Sequence, residues 1–382
     1  MSRKLTYTIG IMLAMVIAIS SGVSATETRV GTMGGIGFYV HDNSNIFYFP
    51  GAIYSYSGQV VGEFRVKNND NAYSIGVHYP LGDFNVVGVY LNRPIPLTIP
   101  NGIVNNVTLN QTTDIFYGMQ MSEFDLGFKA SFGADGQVVN PGGGDNKESA
   151  MYLALASGIS NEKMDLAAHI ELPSAKYEPA GGGNERKWSG FGFAGAGRFF
   201  MGETDKLVPV GLLNIRSTTA DFGTGVGKIK YTDMNFGLGI GLNHNLNENN
   251  MLVLAVEALG LQTAVQDSAD LEAGGGKITD KRITLPGFYL GAESKIKKWL
   301  TGRLGASQVY QSVSSTFKPE TGSEEKYSHT ASQYNVSFGL GFHFGDFVLD
   351  AAVNEGLFFD GPNFISGTNE PMSRRLSLTY SF

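Results

Sequence analysis

From Arg375 to the terminal Phe382 the chain alternates without a break. Leu376, Leu378, Tyr380 and Phe382 fall on one face of an extended chain, and Arg375, Ser377, Thr379 and Ser381 on the other. Successive strand side chains point to opposite faces, so such a segment divides an apolar medium from a wet one. The pattern recurs upstream. Tyr334, Val336, Phe338, Leu340 and Phe342 oppose Asn335, Ser337, Gly339, Gly341 and His343. Phe236, Leu238, Ile240 and Leu242 oppose Asn235, Gly237, Gly239 and Gly241, and Phe124, Leu126 and Phe128 oppose Asp125, Gly127 and Lys129. One such run suits a soluble sheet equally well. Recurrence along the chain suits a wall whose strands need about 9–11 alternating residues to cross a bilayer. Only 16% of residues are charged while 51 are glycine, 17 tyrosine and 25 phenylalanine, the mixture of a many-stranded sheet with one apolar face. The expected fold is all-β, a closed antiparallel transmembrane β-barrel. On this reading an arginine is tolerated at Ser377 and harmful at Leu378.

Short turn signals fall at 80–83, 122–123, 161–164, 203–206, 247–250, 297–299 and 345–346. Longer polar connections separate them, among them 133–149, 176–186, 266–280 and 360–371. Short turns at one rim and long loops at the other give about sixteen strands, with fourteen as the alternative. Sixteen requires a strand over 114–121 and an outer link at Lys67–Asn71. Edges have to close, because bare strand edges are not tolerated in lipid.

The front of the chain sets the compartment. Arg3 and Lys4 precede the uncharged apolar run 9–19, and small residues lead to Ala25. This is the layout of a secretory signal peptide over residues 1–25, with Val23 and Ala25 at the cleavage positions. The run is shorter than the roughly 20 apolar residues of a spanning helix. With no cysteine there is no lipid anchor, disulfide or thiol chemistry. Cleavage removes two basic residues and no acid, taking the formal charge from −7 to −9, which argues against a nucleic-acid partner. Export and a barrel together imply the bacterial outer membrane, with its lipid and lipopolysaccharide as surroundings. The ending Tyr380-Ser381-Phe382 resembles the signature read by the outer-membrane assembly machinery.

Residues 26–52 do not alternate. Gly31, Gly34, Gly35 and Gly37 break regularity, Asp42, Asn43 and Asn45 favour turns, and Pro50 stops the run Ile46–Phe49. Phe38, Tyr39, Phe47, Tyr48 and Phe49 nevertheless call for burial, and the barrel 53–382 is the place for it. This segment resembles the N-terminal hatch of the FadL-type hydrophobic-compound transporters and their PorV-like relatives. The counterparts are Gly31, Met33, Gly34 and Gly35, then Asp42, then Phe49-Pro50-Gly51-Ala52. Phe49 stands where the family has asparagine, a glycine intervenes before Ala52, and Phe38 and Val40 replace small residues. The resemblance implies a hatch or plug built on Gly34, Gly35, Asp42, Asn45, Phe47, Phe49 and Pro50, fourteen strands, and passage of a small hydrophobic substrate. Asp42 is expected to be held by a turn or by Arg65 or Arg375.

Alternation puts Glu63, Arg65, Asp125, Lys129, Asp165, His169, Glu171, Arg198, Arg216, Glu257, Glu293, Arg303, Asp350 and Arg375 in the lumen. Both signs are present, as in a hydrated channel or a set of ion pairs bracing wall and plug. Inward glycines thin the wall and ease its curvature. Catalysis is not expected. His78, His169 and His343 face inward, His41, His244 and His329 lie in or near connections, and no Gly-x-Ser-x-Gly elbow is present. His169, Asp165 and Glu171 share a face, but a solvated stripe explains them better than a metal. Asp267, Asp270 and Glu272 lack the ligand spacing of a calcium loop, and no cofactor is implied. Three functions stay open: a transporter for small, hydrophobic compounds, a general diffusion porin, or a scaffold or secretion accessory. The connection 92–113 is unusually apolar and suits either an inward-folded porin loop or a lid over an entry site.

Overall fold

The computed structural model describes residues 26–382 apart from 66–72, 96, 141, 143, 224–226, 269–274 and 354–372. The expected link at Lys67–Asn71 and the loop 360–371 lie outside the described residues. The wall opens with β1 (Gln59–Arg65), β2 (Tyr73–Pro80), β3 (Asn85–Pro94) and β4 (Gln111–Gln120). Next come β5 (Asp125–Val139), β6 (Asn146–Ser160), β7 (Met164–Glu178) and β8 (Arg186–Phe199). Then follow β9 (Asp205–Asp221), β10 (Lys228–Asn247), β11 (Asn250–Asp267) and β12 (Gly276–Lys297). β13 (Leu300–Pro319), β14 (Glu325–Phe344), β15 (Phe347–Val353) and β16 (Ser373–Ser381) complete the set. All sixteen join in one closed barrel, each antiparallel to its neighbour in sequence. Closure pairs β1 with β16, from Gln59↔Ser381 to Arg65↔Arg375. The fourteen strands implied by the resemblance are therefore corrected to sixteen.

Each expected short turn joins two strands, but the long connections are shorter than their polarity suggests. β5 and β6 remain paired as far as Val139↔Asn146, and β11 and β12 as far as Asp267↔Lys277, so much of 133–149 and 266–280 is ladder. The cause is solvent. Above the lipid both strand faces are wet, so alternation fades while backbone pairing continues. β12 runs for 22 residues, about twice what a bilayer requires.

The outer face is apolar. Phe64, Ile115, Phe128, Leu155, Phe193, Leu238, Leu254 and Leu378 are all exposed, an arrangement water would not tolerate and lipid does. Tyr79, Phe84, Phe199, Trp299, Phe344 and Phe382, also exposed, cluster beside the short turns as an aromatic girdle. The buried hydrophobic clusters lie on the other side of the wall, inside the barrel.

Candidate functional site: the occupied lumen

Two stretches that are not wall pack against the inner face. The first is residues 26–57. It begins with α1 (Glu27–Thr32), whose cap Thr26 accepts a hydrogen bond from the Arg29 N–H at 3.2 Å. Short 3-10 turns follow at Gly37–Tyr39, Asn43–Phe47 and Pro50–Tyr56. Residues 53–58, expected in the wall, thus continue the front segment: proline opens a turn there and no alternation supports a strand. Gly34 has φ +76°, a left-handed value, and a Cβ on it would come within 2.9 Å of the Leu290 carbonyl oxygen. The wall yields as well. A Cβ on Gly305 would lie 2.0 Å from Gly34 N, and one on Gly127 would lie 2.1 Å from the Pro50 carbonyl oxygen. These inward glycines, assigned from sequence to curvature, make room for the segment.

Apolar side chains fill the contacts. Met33, Ile36, Tyr39 and Val40 join Val253 and Ala255 in one buried cluster. Ile46, Phe49, Ala52 and Ile53 join Val61, Val86, Tyr90 and Phe116 in another. Full burial of such a side chain contributes about 1.5–3 kcal/mol. Phe47 packs on Tyr90 and Phe116, and the Arg93 guanidinium lies 3.5 Å above its ring.

Ion pairs then set the position. Arg29 Nε meets Glu293 Oε2 at 2.7 Å, Arg303 Nε meets the same oxygen at 2.6 Å, and Arg303 Nη1 meets Asp350 at 2.6 Å. Arg198 pairs with Asp165 at 2.7 Å, and donates to the Val40 carbonyl at 2.7 Å and Asn45 Oδ1 at 2.9 Å. Glu27 takes Arg65 at 2.8 Å and also Arg93. Burial works to raise the Glu27 carboxyl, but Arg93 and Arg65 hold it down at about 2. Burial, with Arg198 beside it, lowers the His41 imidazole to about 4. Asp42 is buried and accepts from Ser44 N at 2.9 Å, with Arg29 at 3.4 Å. Burial pushes its carboxyl up and Arg29 opposes that push. The expected partners Arg65 and Arg375 do not reach it, because both turn to Glu27. Removing one partner of a buried pair costs about 3–5 kcal/mol.

The second stretch is the β3–β4 connection, residues 95–110. Ile95, Ile103, Val107 and Leu109 pack on Ala150, Ala175, Trp188 and Ala220 of β6 to β9. Glu148 accepts from Asn105 N at 3.1 Å and Asn106 N at 2.9 Å, and Arg186 donates to the Gly102 carbonyl. Beneath the loop lies a cavity of about 370 Å³ lined by Leu97, Ile99, Pro100, Trp188 and Tyr231, with Arg216 and Asp233 at its polar end. The buried Trp188 indole N–H finds no acceptor there. A polar cavity of about 460 Å³ shares Arg216 and Asp233 and adds Asn214, Asn235, Gln262 and Arg282. A wider hollow of about 640 Å³ sits on the outer wall, where Ala168, Gly195, Gly197 and Gly211 leave a dent.

The remaining residues singled out from sequence are placed as follows. Lys129 donates to the Phe47 carbonyl at 3.0 Å, and His169 Nε2 lies 2.7 Å from the Tyr48 carbonyl. Glu171 accepts from Arg216 and from the Tyr152 hydroxyl at 2.9 Å. Glu257 accepts from Tyr289 at 2.8 Å and has no contact with the front segment as close as that. Asp125 stands at the start of β5, near the short turn. Glu63 accepts from the Glu27 N–H at 3.0 Å and from the Thr28 hydroxyl at 3.2 Å. Gly35, at φ +80°, leaves open space around a Cβ. Tyr380 stacks on Phe347 at 4.5 Å on the outside, and Phe382 N donates to the Gly58 carbonyl at 2.9 Å. Among the described residues no group of three His, Asp or Glu side chains is placed to hold a metal ion; Asp270 and Glu272 lie outside them. Sequence reasoning missed Arg29, Arg93, Glu148 and Trp188. Arg29 carried a signal, being the one Lys or Arg in 26–52 and lying between Glu27 and Asp42.

No family model matches the chain, and no curated protein matches it. Solved structures do. The chain is similar to the Pseudomonas putida toluene transporter TodX, with 12% identity, TM-score 0.39, and 94% of this chain and 99% of that one covered. It is similar to a Pseudomonas aeruginosa FadL homologue at 10% identity and TM-score 0.39, again over 94% and 99%. The ferric enterobactin receptor PfeA of Pseudomonas aeruginosa matches at 10% identity and TM-score 0.28, over 85% and 80%.

Proposed function

We propose that the chain is an outer-membrane transporter for small hydrophobic or amphipathic compounds, with residues 26–56 as a hatch and loop 95–110 as a lid. One observation carries this reading: the lumen is occupied by the chain's own front segment, held by ion pairs from Arg29 and Glu27 to the wall and by the wall's Arg198, which donates to Val40 and Asn45. A scaffold has no use for so specific an internal fit. An open pore would leave its lumen wet. The cavity under the loop suits a molecule with an apolar body against Leu97, Ile99 and Trp188 and a polar end near Arg216 and Asp233. A diffusion porin is the second reading, favoured by the polar cavity around Asn214, Asn235 and Gln262.

Planar-bilayer conductance tests the proposal. The intact mature protein is expected to pass little current, and a form lacking residues 26–50 to open wide. A large, steady conductance in the intact protein points to the porin, and equal silence in both forms to a scaffold.

A further inference from the structure

We propose that signal-peptide removal supplies the last contact that seats the front segment: the α-ammonium of Thr26, freed by cleavage after Ala25, pairs with the carboxylate of Glu63. The proposal rests on cleavage at that bond and on the docked geometry, and not on transport.

Thr26 sits in a buried niche formed by β1, β15 and β16. Its hydroxyl donates to Asp350 Oδ2 at 3.2 Å and accepts from Ser377 Oγ at 2.6 Å. Glu63, 3% exposed, turns both oxygens to the same corner. Oε1 accepts from the Glu27 N–H at 3.0 Å and Oε2 from the Thr28 hydroxyl at 3.2 Å. The nitrogen of Thr26 is one residue back from that Glu27 donor, and neighbouring backbone nitrogens lie about 3–4 Å apart. A charge at Thr26 N therefore lies within about 7 Å of Glu63 Oε1, close enough for a small rotation at the freed terminus to bring the two together.

Glu63 takes its hydrogen bonds from neutral groups, while the nearby guanidiniums are engaged elsewhere. Asp350 in the same niche is paired with Arg303. Arg65, two residues along β1, and Arg375, opposite Arg65 on β16, both spend their guanidinium on Glu27 instead. The Arg65 and Arg375 charges are felt at Glu63, but the hydrogen bonds it accepts come from neutral donors, the Glu27 N–H and the Thr28 hydroxyl. A buried carboxylate held only by neutral donors is costly, and an adjacent ammonium removes that cost. In the precursor the Thr26 nitrogen is a neutral amide. Hydrolysis adds water across the Ala25–Thr26 bond; Ala25 departs as a carboxylate and Thr26 keeps the nitrogen, which is protonated at neutral pH because an α-amino group titrates near 8. Cleavage thus converts an uncharged link into the missing counter-ion.

The first readout is N-terminal sequencing of the protein purified from outer membranes, which should begin at Thr26; any other first residue overturns the proposal. The second is amide exchange over residues 27–32 in the refolded mature chain, compared with an Nα-acetylated chain and with one extended by Gly-Gly, which carries the ammonium about 7 Å away. Both modified chains should exchange about ten-fold faster, equivalent to about 1.4 kcal/mol. Glu63→Gln should give the same acceleration, and acetylation should add nothing to it. Unchanged exchange in the modified chains, or an undiminished effect of acetylation in Glu63→Gln, contradicts the pairing. If Glu63→Gln does not refold, the acetylated and extended chains still decide. Conductance plays no part, so failure of the transport reading is separately visible.

Discussion

The two bodies inside this barrel are held by different forces. The front segment is pinned by directional, buried polar contacts: ion pairs of Arg29 with Glu293 and Glu27 with Arg65, and hydrogen bonds from the wall's Arg198 to Val40 and Asn45. Loop 95–110 rests mainly on shape, with Ile95, Ile103, Val107 and Leu109 on an apolar patch of wall and Glu148 as its chief polar tie. Ion pairs tolerate one placement, because a displaced partner leaves a naked charge; apolar contacts tolerate a slide. The lumen thus combines a seat that is either made or broken with a cover that yields by degrees.

Arg303→Ala should break the comparison most forcefully. It strips partners from Glu293 and Asp350 together and should cost about 3–5 kcal/mol. Amide exchange should rise over 27–49 and stay unchanged over 97–109; equal loosening of both would show that they are one unit. Ile103→Ala is the mirror experiment. The side chain is fully buried, and its loss should cost the loop about 2 kcal/mol, read as faster exchange over 97–109 with the front segment unaffected. Glu148→Gln weakens a charged acceptor of two backbone N–H groups and should cost the loop about 1.5 kcal/mol, with a small gain in solute permeation.

Acid gives the smallest effect. His41 is held neutral when docked, at about 4 against an ordinary value near 6.5. A depressed folded value means full stability above 6.5, lost as pH falls from 6.5 toward 4. Glu27, held at about 2, gives way only below 4.5, so it does not share that window, while buried Asp42, pushed up, works in the opposite direction. His41 is exposed on one side and stacked on Phe200 on the other, so the change is modest. Conductance should rise slightly from pH 7 to pH 5 in the intact protein and less in His41→Asn; identical slopes would remove His41 from the account.

Much of the wall was legible, because the two solvents imprint a period of two on every strand between them. Gly237, Gly239 and Gly241 against Leu238 and Ile240 is a pattern that fixes which face meets lipid, though not the pairing, which shifts by a residue at Leu238/Gly239. Legibility ended where that contrast ended. Above the lipid both faces are wet, so the ladder over 133–149 read as a loop. Inside the lumen the partners are far apart in sequence, and nothing local says that Arg29 meets Glu293 or that Asp42 takes Arg29 rather than Arg65. Ser377 shows the same limit. Its polar face reads as a wet position fit for arginine, yet it is fully buried beneath Thr26, so Ser377→Arg and Leu378→Arg should both be damaging, the first by unseating the front segment and the second by about 2–4 kcal/mol in lipid.

The central claim is that the front segment closes the lumen and has to move for passage. The chain contains no cysteine, so a double substitution, Met33→Cys with Gly291→Cys, introduces a single thiol pair. The Met33 Cβ lies 3.2 Å from the Cβ position of Gly291, a few tenths of an ångström inside disulfide range, and the same position meets the Ile36 side chain at 2.6 Å and the Met33 carbonyl oxygen at 2.9 Å, so the segment shifts slightly as the bond ties it to β12. The measurement is uptake of a small amphipathic solute by vesicles carrying this variant, oxidised and then reduced. The account predicts uptake at the protein-free background when oxidised and at the wild-type level after reduction. Wild-type uptake through the oxidised, stapled protein would contradict it.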